Sequence, residues 1–311
     1  MDFLIFIVSL AVLIWGSDIL ITQSEKIALQ FGISEYVIGA TLVAAGTSLP
    51  EMAASITASM NHKPEIAVAN VIGSNIFNIT LVLAAVFIVA KNVNPHRDFF
   101  AKDSSWALFP VLIFILMVLD GSFSQFDGLL LILLMFAYVL FLLRAGKDII
   151  KVEEEEEAAV EPFRWSKVGI LTILGFVLVI VGADYTIESA STIAKSFGVS
   201  DWVIGIIMIS LGTSMPELMV SVTAALKGKA DMAIGAIIGS NMANTTMVLG
   251  SAALVNQIDL DPTKYMFDIS TMLVATLMLV FISANKLYTK PAGISLLIVL
   301  ALFLQNTLAS L

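Results

Sequence analysis

The most constraining feature of this sequence is a long segment that occurs twice. Gly-Thr-Ser-Leu-Pro-Glu at 46–51 recurs as Gly-Thr-Ser-Met-Pro-Glu at 212–217, and Gly-Ser-Asn-Ile-Phe-Asn at 73–78 recurs as Gly-Ser-Asn-Met-Ala-Asn at 239–244. Both pairs are offset by 166 residues, and about half of positions 31–83 are identical to their counterparts. Each copy places a glutamate in an apolar stretch, where a carboxylate is costly, so its recurrence indicates an ion site.

The composition predicts an integral membrane protein. Of the 311 residues, 59% are hydrophobic and 13% charged, and the mean hydropathy is +0.97, which is more apolar than a soluble domain needs. There are no cysteines, and the only histidines are His62 and His96, so a thiolate or histidine metal site is not expected. The N-terminus lacks a basic signal-peptide region, so the first apolar segment is expected to be retained. Nothing indicates a cofactor, a nucleic acid or an obligate protein partner.

Ten apolar segments are long enough to span a bilayer. Their predicted limits are 3–22, 36–60, 66–90, 104–120, 128–146, 167–187, 202–226, 232–255, 267–284 and 292–310. With ten spans, only Lys63, Lys195 and Lys264 of the 16 basic residues fall on the side of the termini. Because positive residues collect on the cytoplasmic side, we expect a multi-pass plasma-membrane protein with both termini outside.

The repeat predicts an inverted topology. The first half, 1–146, and the second half, 167–311, each hold five spans, so the second must enter the membrane from the opposite side. The expected fold is therefore an all-α membrane protein of ten helices, arranged as two inverted five-helix repeats. The stretch 147–166 contains five consecutive glutamates and is interpreted as a cytoplasmic acidic linker.

The first motif places polar groups on one helix face. Thr47 and Ser48 lie four and three residues before Glu51. Pro50 cannot donate to the carbonyl of Gly46, so a kinked helix with free carbonyl oxygens is predicted. The second copy repeats this arrangement with Thr213, Ser214 and Glu217.

The second motif supplies neutral oxygen atoms. These come from Ser74 and Asn78 and from their counterparts Ser240 and Asn244. An all-oxygen set suits hard cations such as calcium. Two ionised glutamates match one divalent or two monovalent cations, or protons, and such exclusive occupancy is what antiport requires. Two recurring pairs stay open: Asn75 and Asn241 either contact the ion or hydrogen-bond between helices, and Asp18 and Asp184 either border a pathway or lie among lipid headgroups.

These paired motifs resemble the two alpha repeats of the calcium/cation antiporter superfamily, and most closely its prokaryotic sodium/calcium exchangers. The resemblance covers nearly the whole chain. It implies that sodium entry drives calcium out and that long, tilted first and sixth spans slide across the site. The ligands implied by motif are Thr47, Ser48, Glu51, Ser74, Asn78, Thr213, Ser214, Glu217, Ser240 and Asn244. Some members have Asp at the last place of the second motif, where this chain has Asn244, which favours independence from potassium.

Three alternatives to a sodium/calcium antiporter remain at this stage. A calcium/proton antiporter of the same superfamily could use the same carboxylates. A cation channel could use the same oxygens, but channels usually surround a pore by oligomer symmetry. An intramembrane enzyme would need a nucleophile and base beside Glu51 and Glu217, and the motifs contain none, so we expect no enzymatic activity. The expected partners are Ca²⁺ and Na⁺ ions and the lipid bilayer.

Overall fold

The computed structural model is almost entirely helical and describes residues 2–90, 93, 95–145, 163–198 and 212–309. Helices that continue through a π-helical turn are counted as one. The helices are α1 Asp2–Phe31, α2 Glu35–Thr47, α3 Leu49–Met60, α4 Glu65–Val89, α5 Phe99–Val118, α6 Gln125–Ala145, α7 Trp165–Ser196, α8 Met215–Leu226, α9 Ala230–Val255, α10 Met266–Ala284 and α11 Lys290–Ala309. Two short strands, β1 Ser122–Phe123 and β2 Ile258–Asp259, pair antiparallel.

The predicted all-α membrane fold is confirmed. In the described ranges, eight helices are long and apolar enough to cross a bilayer, and α2 and α3 together form a ninth span that is bent by 44°. Helix α8 is the described part of the predicted span 202–226, of which 202–211 lie outside the described residues. The eight long helices, the bent α2–α3 pair and α8 together correspond to the ten predicted spans. Most of the acidic linker, residues 147–162, also lies outside the described residues.

The first and sixth spans are longer than hydropathy predicts. The predicted limits 3–22 and 167–187 become helices of 30 and 32 residues. At 1.5 Å per residue they measure about 45 Å and 48 Å, which exceeds the hydrocarbon thickness of about 30 Å, so both must tilt or project. They pack closely, since a Cβ on Gly16 would lie 2.7 Å from Leu178 Cβ and one on Gly182 would lie 2.8 Å from Leu13 N.

Contacts between loops agree with a chain that crosses the membrane ten times, so that successive loops lie on alternate sides. On the side of the termini, β1 pairs with β2, and Asn256 Nδ2 donates to Ser59 O at 2.6 Å. On the other side, which we call the basic side because it carries the other thirteen basic residues, the backbone N–H groups of His96 and Arg97 donate to the Asp231 carboxylate. Loops predicted to share a side therefore meet in the structure.

The two halves interleave through their central helices. Helix α9 of the second half packs along α2 of the first, and α8 packs against α4, while α3 packs against the later part of α9. The approach of α2 to α9 is nearly backbone to backbone. A Cβ on Gly39 would lie 2.4 Å from Met232 O, and one on Gly239 would lie 2.5 Å from Ala40 O. The inverted repeats thus share one core instead of packing as separate units.

A buried ion pair supports the basic side of the first half. The Arg97 guanidinium donates to both carboxylate oxygens of Asp103, at 2.5 Å and 2.8 Å. It also lies 4.4 Å from the centre of the Tyr36 ring at the start of α2. Asp103 is fully buried, and Arg97 is nearly so. This cluster fixes the loop before α5 against α2, which carries the first motif.

Candidate ion-binding site

The first Gly-Thr-Ser-x-Pro-Glu motif lies at a break between two helices, and the second leads into the start of α8. Ser48 separates α2 from α3 with φ −82° and ψ 5°, and Ser214 precedes α8 with φ −87° and ψ 0°. In both copies, proline occupies the first turn of the following helix, where its missing N–H is tolerated. The predicted kink is confirmed in the first copy by the 44° bend. In both copies, the glutamate lies in the first turn of the helix that follows.

The two glutamates are buried and face residues of the opposite half. Glu51 is fully buried, and Glu217 is 3% exposed. Thr213 lies beside the Glu51 carboxylate, and Thr47 lies beside that of Glu217, which is the same contact in each repeat. Ser48 Oγ also donates to Glu217 Oε1 at 3.5 Å. The Glu51 carboxylate lies close enough to that of Glu217 to interact with it electrostatically.

Hydroxyl contacts across the repeats follow the same two-fold relation. Thr47 Oγ1 lies 3.4 Å from Ser240 Oγ, and Ser74 Oγ lies 3.4 Å from Thr213 Oγ1. Thr213 and Ser240 are the counterparts of Thr47 and Ser74 at the 166-residue offset, so one contact is the image of the other. The two pairs therefore link α2 to α9 and α4 to the segment before α8, on either side of the carboxylates.

Asn78 and Asn244 mark a further irregularity that the sequence analysis did not predict. Each is fully buried, and each begins a π-helical turn, Asn78–Leu83 in α4 and Asn244–Val248 in α9. A third such turn, Gly39–Val43, precedes the first motif in α2. Single π turns inside α-helices are frequent at functional sites because they change the direction of side chains and carbonyl groups. Here they aim the asparagines into the core between the halves.

Several buried polar atoms of this region have no hydrogen-bond partner in the described protein. They are both carboxylate oxygens of Glu51, Oε2 of Glu217, Oγ of Ser214, and Oδ1 and Nδ2 of both Asn78 and Asn244. Buried polar atoms are normally paired, and an isolated buried carboxylate is strongly unfavourable. The geometry therefore fits a cation that these oxygens surround.

All ten residues predicted by motif fall in this one region. Nine are buried, and Thr213 is half-buried. In the described residues, no cluster of three or more acidic or histidine side chains is present, so two carboxylates and neutral oxygens form the set.

The choice between ion contact and interhelical bonding stays open for Asn75 and Asn241, because their amide nitrogens bond between helices while both Oδ1 atoms are buried without a partner in the described residues. Asn75 Nδ2 donates to Thr245 Oγ1 at 2.7 Å, and Asn241 Nδ2 donates to Asn75 O at 3.4 Å. These bonds join α4 to α9, which is the interhelical role. The two motif glycines differ in packing: a Cβ on Gly239 would meet the backbone of α2, whereas a Cβ on Gly73 would meet nothing within 4 Å.

Asn70 is a functional neighbour that motif reasoning missed. Its Nδ2 donates to Ser55 Oγ at 3.0 Å and to the backbone carbonyl of Glu51 at 3.3 Å. The sequence did contain one indication of this role, because Asn70 lies one helical turn before Ser74, on the same face of α4. Its counterpart at the 166-residue offset is Ala236, so the repeat comparison concealed it.

Comparison with known proteins agrees with the arrangement. The family model described as sodium/calcium exchanger protein matches residues 1–144 and 167–308. The inner membrane protein YrbG of Escherichia coli strain K12 is 30% identical over 308 residues, covering 94% of this chain and 92% of that protein. The sodium/calcium exchanger MaX1 of Methanosarcina acetivorans is 30% identical over 341 residues, covering 97% of each chain.

Among solved structures, the sodium-calcium exchanger NCX_Mj soaked with 10 mM Na⁺ and without Ca²⁺ matches with a TM-score of 0.81. It is 31% identical, and the match covers 98% of each chain. The helical fold described above is therefore shared over the full length.

Proposed function

The chain belongs to the sodium/calcium exchanger protein family, and from that premise we propose that it is a secondary active antiporter that exchanges sodium for calcium. It is a multi-pass membrane protein whose family performs cation exchange with calcium. The proposed site is the all-oxygen cluster between the repeats, near the middle of the membrane. Its ligands are Thr47, Ser48, Glu51, Ser74, Asn78, Thr213, Ser214, Glu217, Ser240 and Asn244.

The single observation that carries this proposal is the pair of buried, equivalent glutamates with unpartnered oxygens. Glu51 and Glu217 belong to oppositely oriented repeats. Each of them lies beside a hydroxyl side chain of the opposite repeat, and each has at least one carboxylate oxygen without a partner in the described residues. Their formal charge of −2 is neutralised by one Ca²⁺ or by two Na⁺ ions. Because two charges cannot stay buried without compensation, the occupied states are favoured and exclude one another. Exclusive occupancy of one site is the physical basis of antiport.

The route between sides is proposed to run past α1 and α7. These helices are the longest in the described structure, and they pack mainly on each other. Helix α7 also reaches the first motif, since a Cβ on Gly46 would lie 1.9 Å from Phe176 Cε1. A sliding movement of this pair across the motif helices would expose the site on one side at a time.

The orientation of the chain in the membrane and its division into two repeats are inferred from the sequence, and both belong to the proposal. The basic side is assigned to the cytoplasm, with both termini outside. The repeats are 1–146 and 167–311, and 147–166 links them in the cytoplasm.

Calcium uptake into proteoliposomes tests the function. Purified protein in sodium-loaded vesicles should take up radioactive calcium when external sodium is removed, while potassium or proton gradients alone should not drive uptake. Glu65→Gln, an exposed glutamate outside the site, serves as the control and should transport normally. Uptake driven only by a proton gradient would indicate a calcium/proton antiporter, and uptake independent of any opposed gradient would indicate a channel; either result would contradict the proposal.

A further inference from the structure

Helices α1 and α7 are equivalent in the two repeats, but two ion pairs that join α1 to the ends of motif helices have no equivalent pair at the matching positions of α7. We propose that Lys227 and Lys229 are positioning residues that hold α1 against α8 and thereby keep the basic side of the transporter closed. This inference rests on the proposed function, because it concerns which side of the ion site opens. We call the contacts Lys227–Asp18 and Lys229–Glu25 the α1 ion pairs.

The first α1 ion pair joins α1 to the end of α8. Lys227 immediately follows α8, and its Nζ lies 2.6 Å from Asp18 Oδ1. The same ammonium donates to Thr22 Oγ1 at 2.9 Å and to the backbone carbonyl of Asp18 at 3.3 Å. Three acceptors on one helical turn therefore surround it. The contact gives Asp18 a role that its position in the sequence left open.

The second α1 ion pair joins α1 to the start of α9. Lys229 directly precedes α9, and its Nζ contacts Glu25 Oε1 and, at 2.7 Å, Glu35 Oε1 at the start of α2. Burial alone would lower the pKa of Lys229, but the two carboxylates raise it above its ordinary value, so this group stays charged. One ammonium thus connects α1 to two helices of the site.

The equivalent positions of the other repeat cannot form these pairs. At the 166-residue offset, Asn61 replaces Lys227 and Ser191 replaces Glu25, whereas Asp184 and Lys63 retain the charge. Asn61 Nδ2 donates to Thr57 O of its own helix at 2.9 Å, and Ser191 Oγ donates to Ile187 O at 2.8 Å. Asp184 and Lys63 are exposed, and within the described residues neither is in a salt bridge.

The packing of the helices shows the same asymmetry. Helix α1 runs along α8 in extensive contact. The equivalent contact of α7 with α3 is not extensive in the described part of the chain. Opening the basic side requires α1 to leave α8 and break both pairs, whereas the matching positions on the other side have no equivalent of these two pairs to break. Partly exposed ion pairs are individually weak, so we expect the two together to change the ratio of states by about three- to tenfold.

Matched cysteine reporters can measure this ratio because the chain has no cysteine of its own. Ser55 and Ser221 are equivalent buried residues one turn beyond Glu51 and Glu217, on the sides opened by α7 and α1 respectively. Single variants Ser55→Cys and Ser221→Cys are labelled with a hydrophilic maleimide in detergent without Na⁺ or Ca²⁺. Adding Asp18→Asn with Glu25→Gln should increase labelling at the Ser221 reporter three- to tenfold and decrease it at the Ser55 reporter.

Two further variants separate this role from a loss of folding. Asp184→Asn, the matched control in α7, should leave the labelling ratio unchanged. The exchange of charges in Asp18→Lys with Lys227→Asp should return the ratio towards that of the parent protein. An unchanged ratio in the α1 variants, or an equal change in Asp184→Asn, would overturn the proposal. The assay needs no transport, so its outcome is independent of which ions the protein exchanges.

Discussion

The two halves of the chain are nearly identical where they surround the carboxylates and differ where they support them. The hydroxyl pairs Thr47–Ser240 and Ser74–Thr213 have the same distance, 3.4 Å. Outside this centre, Asn70 corresponds to Ala236, and buried Asp103 corresponds to Ile269. The difference indicates that both repeats are constrained to the same chemistry at the ion, whereas each has been free to find its own packing. Substitutions at equivalent positions can test this distinction.

The two glutamates should give the largest effect on transport, and the effect should be equal for both. Glu51→Gln and Glu217→Gln each remove one charge from the proposed site, which we expect to cost about 3 kcal/mol or about 100-fold in calcium affinity. Calcium exchange in proteoliposomes should fall to background in both variants. Near-normal exchange in either one would break the equivalence of the repeats and refute the site.

The buried ion pair of the first half should dominate stability. Asp103→Asn leaves the Arg97 guanidinium buried without its partner, and breaking such a pair costs about 3–5 kcal/mol. We expect a large decrease in the thermal unfolding midpoint, measured by loss of the monodisperse peak in size-exclusion chromatography. Replacing both partners, Arg97→Met with Asp103→Leu, should recover most of the lost stability. A small effect of Asp103→Asn alone would show that water reaches this cluster.

Alanine substitutions at two equivalent glycines should have different effects on stability, and the sequence does not indicate which effect is larger. A Cβ at Gly239 would lie 2.5 Å from the backbone oxygen of Ala40, whereas one at Gly73 would meet nothing within 4 Å. Gly239→Ala should therefore destabilise the protein by about 1–3 kcal/mol through overpacking, and Gly73→Ala should be close to neutral. Thermal unfolding of both variants, compared side by side, measures the difference. Equal effects would mean that the halves pack more symmetrically than described.

The sequence predicted the repeat, the alternation of spans and the burial of nine of the ten motif residues because these depend on local patterns. Hydropathy failed at the end of α1, where polar residues from Gln23 to Lys26 ended the predicted span. The helix continues to Phe31, and in this part Glu25 is paired with Lys229, a partner about two hundred positions away. Contacts at such separation leave no periodic signal in a single sequence.

The π-helical turns could not be predicted for a related reason. Asn78 and Asn244 occupy positions compatible with an ordinary α-helix, and no residue type marks the extra backbone residue. The turn is stabilised by packing between the halves, as in the contacts of α4 with α8 and α9. Asn70 was not predicted because the prediction used residues that recur in both halves, and Asn70 has no counterpart in the second half.

The last comparison concerns the two asparagines, and it should give the smallest change. Asn78 and Asn244 are equally buried, and all four of their side-chain amide atoms lack hydrogen-bond partners in the described protein. Asn244→Asp adds a third carboxylate to the proposed site, so its affinity for monovalent ions should increase severalfold and calcium exchange should acquire a changed dependence on sodium and potassium. Initial rates of calcium uptake at varied sodium and potassium concentrations measure this. If the halves are equivalent at the ion, Asn78→Asp should produce a similar shift. A shift in Asn244→Asp alone would instead show that the second repeat holds the monovalent ion, because the added charge acts only where that ion binds.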